Sequence, residues 1–329
     1  MKKLALLILL CAIAAGTSWS ETNDIPLFVS LIIEPGGRPG GVGKSFTGLA
    51  DDVNASYYNP GGIALLDKNG VSVMHEPRGT GDLGDIFYDY AAFSYGFGKY
   101  GTFCMDVIYS DAGKSDRTDE QGRVLGTIHS YTAAPSAYWA YPLREDLGVG
   151  AGVTYAYEHL ADSEGGTDQQ VLFNVGALYH TPVKGLSCGL SFNKLGPSKS
   201  VTRYSETENS EIDVSFAPPR AARFGVAYNV LSTDLNDLTA LADGSKLLMN
   251  LGDGIGDELA QGVYSGGIEY VYAKMIAVRG GYYYDKYGEI KGLTLGFGFS
   301  YKGLSFDYSR VPEGEIFEDR NRFAVGYEF

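Results

Sequence analysis

Few residues in this chain have the types and spacing that chemistry asks for. Gly43-Lys44-Ser45 ends like a phosphate-binding loop, in which backbone N–H groups and a lysine cradle a nucleotide. That motif needs a glycine five residues ahead of Gly43, where the chain has Arg38, so a nucleotide site is rejected. Asp52 and Asn54 open like a calcium loop, but Tyr57 and Ile63 occupy the offsets that need glycine and the closing glutamate. Asp51 and Asp52 are therefore expected to hold backbone amides, with loose binding of a cation as the lesser reading. His75, His129, His159 and His180 show no ligand spacing, and no Gly-x-Ser-x-Gly elbow is present. No catalytic residue, metal or cofactor is expected. What remains is a polar stretch over 40–66, with Asp51, Asp52, Asn54, Tyr58, Asn59 and Pro60, and one charged couple, Glu269 and Arg279.

The elements that position these residues follow from composition and period. The chain has 329 residues, with 40 acidic against 26 basic and a formal net charge of −14. A nucleic-acid partner is excluded, because it needs a basic footprint. The 45 glycines weaken helices, and the 25 tyrosines suit sheets and membrane interfaces. Lys2 and Lys3 precede an apolar run over 4–15, and Ser18-Trp19-Ser20 puts small residues ahead of Glu21. This is the form of a signal peptide over 1–20, with Cys11 inside the discarded part.

Beyond residue 70 one pattern recurs. Leu293, Leu295, Phe297, Phe299 and Tyr301 alternate with Thr294, Gly296, Gly298 and Ser300. Phe224, Val226 and Tyr228 alternate with Gly225, Ala227 and Asn229. A period of two gives one apolar face. The other face carries mostly glycine, serine, alanine and threonine with few charges, which suits a crowded lumen better than a solvated face. About fourteen such strands are counted, and short connections alternate with long acidic ones. That is the layout of an outer-membrane barrel, with the long loops outside the cell. The expected fold is an all-β, antiparallel transmembrane barrel over 67–329, with an N-terminal plug or hatch over 21–66 in its lumen.

Strand parity places individual side chains. Cys104 falls on the inward face and Cys188 on the lipid face, so the two should not pair. A turn centred on Lys274 sets Glu269 opposite Arg279, both inward, as a wall-stiffening ion pair with contact to a substrate as the lesser role. Phe323, Val325, Tyr327 and Phe329 share the lipid face of a final strand. Such an ending resembles the signal that the barrel-assembly machinery reads in outer-membrane proteins.

Several segments together resemble one family. They are Gly48-Leu49-Ala50-Asp51-Asp52-Val53-Asn54-Ala55, then Tyr58-Asn59-Pro60-Gly61-Gly62, Asn193-Lys194-Leu195-Gly196-Pro197, Gly267-Ile268-Glu269-Tyr270 and Ala277-Val278-Arg279-Gly280-Gly281-Tyr282. They are similar, in this order, to segments of the PorV/PorQ family, barrels related in fold to the FadL fatty-acid channel. Family members usually have alanine where this chain has Gly61. The resemblance implies fourteen strands with the N-terminal segment folded into the lumen. It further implies a non-enzymatic part in type IX protein secretion or surface attachment, with a translocon and cargo proteins as partners. The alternative is a FadL-like channel for hydrophobic small molecules such as long-chain fatty acids, gated by the N-terminal segment. Either role puts the protein among lipids of a Gram-negative-type outer membrane.

Overall fold

The computed structural model describes residues 25–79, 86–119, 121–160, 166–205, 210–248, 261–286, 288–314 and 319–329, with backbone alone over 201–205 and 210–213. The signal peptide expected over 1–20 lies outside the described residues. Fourteen strands close into an antiparallel barrel. They are β1 (Gly70–Pro77), β2 (Phe87–Gly96), β3 (Thr102–Thr118), β4 (Val124–Arg144), β5 (Leu147–His159), β6 (Thr167–His180) and β7 (Leu186–Leu195), followed by β8 (Ala221–Ser232), β9 (Asn236–Leu247), β10 (Val263–Tyr272), β11 (Ile276–Asp285), β12 (Ile290–Tyr301), β13 (Leu304–Val311) and β14 (Arg320–Glu328). Each strand pairs with its sequence neighbours, and β14 returns to β1, Val325 opposite Val73. Closure removes the open edges that a free sheet would present.

The alternation sorts side chains as a barrel in lipid requires. On β12, Leu293 is 72% exposed and its neighbour Thr294 is fully buried. Phe323, Val325, Tyr327 and Phe329 all stand on the outer face, between 43% and 55% exposed. Cys104 is buried toward the lumen, Cys188 lies on the opposite face, and both are free.

Two stretches differ from the sequence reading. Residues 111–127 look like a loop because they are polar, yet β3 and β4 run on through them, pairing Lys114 with His129 and Thr118 with Val124. Backbone pairing carries the hairpin where no apolar face is needed. The connection over 196–219 holds a further hairpin, Lys199–Ser205 with Ser210–Ala217. Its second strand pairs in parallel with Ile25–Pro26.

Residues 27–66 fill the lumen, entering beside that hairpin at the long-loop end. Leu27 donates its N–H to the Ala217 carbonyl. The segment continues through a 3-10 turn (Val29–Ile32), α1 (Gly37–Gly41), α2 (Ala55–Tyr58) and a second 3-10 turn (Gly62–Leu65). It leaves at the short-turn end, where β1 begins. It spans the lumen, as the sequence reading expects of a plug. The wall is thin where the segment passes: a Cβ on Gly189 would overlap the Thr47 carbonyl, and one on Gly150 the Pro60 carbonyl. These lumenal glycines let backbone pack on backbone, which no larger side chain permits.

Candidate functional site

The lumenal segment is held by side chains that the wall strands aim inward. Arg38, on the first turn of α1, is the hub near the short-turn end. Its Nε and Nη2 donate to Glu269 of β10 at 2.9 and 2.8 Å, a bidentate fork. Its Nη1 donates to Asp51 Oδ1 at 2.7 Å and to Asp52 Oδ2 at 3.0 Å. Glu269 stands directly opposite Arg279 in register and accepts from its Nε at 2.6 Å. Arg279 Nη1 then donates to Asp307 of β13 at 2.6 Å. The chain of charge therefore runs from Asp51 and Asp52 through Arg38, Glu269 and Arg279 to Asp307. Burial alone would lower the affinity of Arg38 for its proton. The carboxylates of Asp51 and Glu269 outweigh that and hold it well above the usual arginine value.

A second cluster lies nearer the long-loop end. Glu34 accepts a hydrogen bond from Arg223 of β8, and its backbone carbonyl accepts one from Arg322 Nη1 of β14 at 2.6 Å. Arg322 Nε donates in turn to Glu76 of β1 at 2.5 Å, and Arg78 Nε approaches the other Glu76 oxygen at 3.0 Å. Burial would raise the Glu34 carboxyl, but the Arg223 and Lys44 charges beside it hold it below its ordinary value. Lys44 sits 3.7 Å from Glu34 and 4.0 Å above the Tyr283 ring. Desolvation pushes it down to about 8, with Glu34 only partly compensating.

The other polar residues of the segment shape it. Asp52 Oδ1 accepts from the Asn54 N–H at 2.8 Å, an Asx turn ahead of α2. Asp51 does not hold a backbone amide as expected; its carboxylate faces Arg38. Asn59 donates to the carbonyls of Thr47 and Ala177 at 3.0 and 2.9 Å and accepts from the Gly61 N–H. Pro60 packs on the wall beside Gly150 and Gly176. Tyr58 donates to the Pro35 carbonyl at 2.9 Å, and the Tyr58 carbonyl accepts from Ser191 at 2.7 Å. Asp243 receives the N–H groups of both Phe46 and Thr47.

Sequence reasoning missed Arg38, Glu34, Glu76, Arg223, Asp243, Asp307 and Arg322, and it read the lumen as nearly uncharged. A signal existed in parity. Arg223 precedes outward Phe224, and Arg322 precedes outward Phe323, so both must point inward. What the sequence does not show is the partner, because residues near position 34 and near position 322 meet only through the barrel.

Below the hub a cavity of about 470 Å³ opens at the short-turn end. Arg38, Asp51, Asp52, Ser94, Glu269 and Asp307 line it. The arrangement is a closed lumen latched by ion pairs and hydrogen bonds, with its lowest latch exposed to this cavity.

A family model described as uncharacterised protein family UPF0164 matches residues 12–232. No curated protein matches the chain. Among solved structures, the toluene transporter TbuX of Ralstonia pickettii is similar with a TM-score of 0.56 at 13% identity, covering 89% of this chain and 97% of its own. A FadL homologue of Pseudomonas aeruginosa is similar with a TM-score of 0.53 at 13% identity, covering 89% and 98%. The toluene transporter TodX of Pseudomonas putida gives 0.53 at 13% identity, covering 94% and 99%. At these identities the likeness is one of fold.

Proposed function

This chain belongs to the uncharacterised protein family UPF0164, and from its plugged barrel we propose that it is an outer-membrane channel for small hydrophobic molecules, gated by residues 27–66. The observation that carries the reading is a lumen filled by the chain's own N-terminal segment, in a barrel with the fold of two toluene transporters and a FadL homologue. In this reading the division stays as expected from sequence, a plug over 21–66 and a barrel over 67–329. The plug is held by reversible contacts, and release of Arg38 from Glu269 frees the side that faces the short-turn cavity. Glu269 and Arg279 then serve the latch as well as the wall. No side chain is asked to do covalent chemistry. The test is uptake of radiolabelled toluene and a long-chain fatty acid into vesicles carrying the purified protein. Saturable uptake above that of empty vesicles is expected; equal uptake refutes the channel.

A second reading, secretion or surface attachment in the manner of PorV, is favoured by one specific observation. Residues that carry the resemblance meet in space: Asp51 and Asp52 share Arg38 with Glu269, which pairs with Arg279. Co-purification from detergent with a translocon or cargo protein supports this reading, and monomeric protein retaining a lipid supports the channel. In either case Phe323, Val325, Tyr327 and Phe329 are proposed as the strand read by the barrel-assembly machinery.

A further inference from the structure

The turns at the short-turn end carry exposed lysines, beside the mouth of the lumenal cavity. Lys274 sits in the β10–β11 turn and Lys302 in the β12–β13 turn, and these turns are neighbours on the rim. They are tied together, since Ser300 donates its N–H to the Met275 carbonyl at 2.7 Å. Between them lies a depression of about 370 Å³, lined by Lys68, Lys274, Lys302, Ser300, Ser305 and Tyr301 among others. One acid, Glu328, reaches it, and that carboxylate is engaged by Lys68 at 2.8 Å. Among the described residues Lys274 and Lys302 have no acidic partner. Three lysines and two serines thus line one depression with a single acid among them, in a chain of net charge −14, and the Lys302 ammonium lies 5.3 Å from the Tyr301 ring at the lipid-facing edge. The depression borders the lipid face directly. Tyr301, Ile276, Met275 and Leu304 stand beside it with between 37% and 57% of their surface exposed.

We infer that this depression binds the phosphate of an anionic phospholipid of the periplasmic leaflet. The lysines and serines meet the headgroup, and the acyl chains lie over the neighbouring outer face. A juxtamembrane lysine attracts anionic lipid, and three around one concavity make a site rather than a diffuse field. The lipid, not a free phosphate, is the occupant, because the apolar surface continues from the rim of the depression.

The test is native mass spectrometry of the protein released from vesicles of equal phosphatidylglycerol and phosphatidylcholine. Wild type is expected to retain phosphatidylglycerol selectively. The Lys274→Gln, Lys302→Gln double variant should lose about 25-fold of that preference, about fivefold for each lysine. Lys99→Gln, Lys184→Gln serves as control, since these lysines sit in other turns and line neither this depression nor the lumenal cavity, and it should keep the preference. Heat-modifiable mobility on gels checks folding of every variant. Equal retention of the two lipids by wild type overturns the inference. So does an equal loss in the control pair, which indicates general surface charge, and so does displacement of the lipid by millimolar glycerol phosphate, which indicates a soluble anion.

Discussion

Replacing Arg38 with alanine removes the side chain that, among the described residues, joins Asp51 and Asp52 of the plug to Glu269 of the wall. Breaking a buried ion pair by removing one partner costs about 3–5 kcal/mol, because a charge is left without compensation. Here the cost is smaller for two reasons. Glu269 keeps Arg279, and the Asp51 side chain is 47% exposed, so water replaces much of what it loses. About 2–3 kcal/mol is then expected, drawn from the bidentate fork and from Asp52. If the plug opens locally while the barrel stays closed, that sum is about 30- to 150-fold in open population. Hydrogen exchange reads it directly. The amides of Gly43, Phe46 and Asn54 are bonded within the plug or to the wall and should exchange faster by that factor. Amides in the β4–β5 ladder should not change. Arg38→Lys should recover part of the protection only, since an ammonium cannot reproduce the fork. Exchange in the plug unchanged within about threefold refutes the latch, and equal acceleration in plug and wall would mean that Arg38 supports the barrel as a whole.

Four further outcomes are expected. Lys44 has a folded value near 8 against 10.5 in the unfolded chain, so the unfolded state binds more protons between these values and stability rises with pH across that window; thermal unfolding of wild type against Lys44→Met isolates the slope, and an identical slope in both counts against it. Gly61→Ala, which installs the residue usual in the PorV/PorQ family, puts a Cβ 2.5 Å from Ala177 Cα and should cost about 1–3 kcal/mol in urea unfolding; an unchanged midpoint would show that the wall yields. Val325→Arg places a charge on the lipid face of β14 and should cost about 2–4 kcal/mol in lipid, whereas Val325→Leu should be nearly neutral. Cys104 and Cys188 should migrate as free thiols on non-reducing gels, with Cys104 protected from maleimide until unfolding; a disulfide would reverse the strand parity.

The wall was legible because a barrel in lipid must repeat one rule in every strand. Leu293 through Tyr301 shows that rule without reference to any distant residue, and the register at Glu269 and Arg279 follows from a turn three residues long. The hairpin over 111–127 was not legible, since no alternation of apolar and small residues marks its strands. The plug was legible as a non-strand segment belonging in the lumen, but its path and its contacts were not. Its partners lie far away in sequence: Arg38 and Glu269 are 231 positions apart, and Gly43 and Thr294 are 251 apart. Such contacts leave no local period. The lumenal glycines read as weak strand positions, when their meaning is the close passage of another backbone.

The path of residues 27–66 has a mechanical consequence. The segment is fastened at both ends, by hydrogen bonds to the 199–217 hairpin above and by the covalent chain to β1 below. A body strung in this way cannot be expelled as a lid is. Tension applied from the short-turn end bears on the wall contacts of Asn59 and Tyr58 before those of Arg38, and last on the strand at Ile25–Pro26. In the proposed channel, rotation about the lower attachment would clear one side of the lumen while the upper anchor still held. The same thread that blocks the bore would then limit how far it travels.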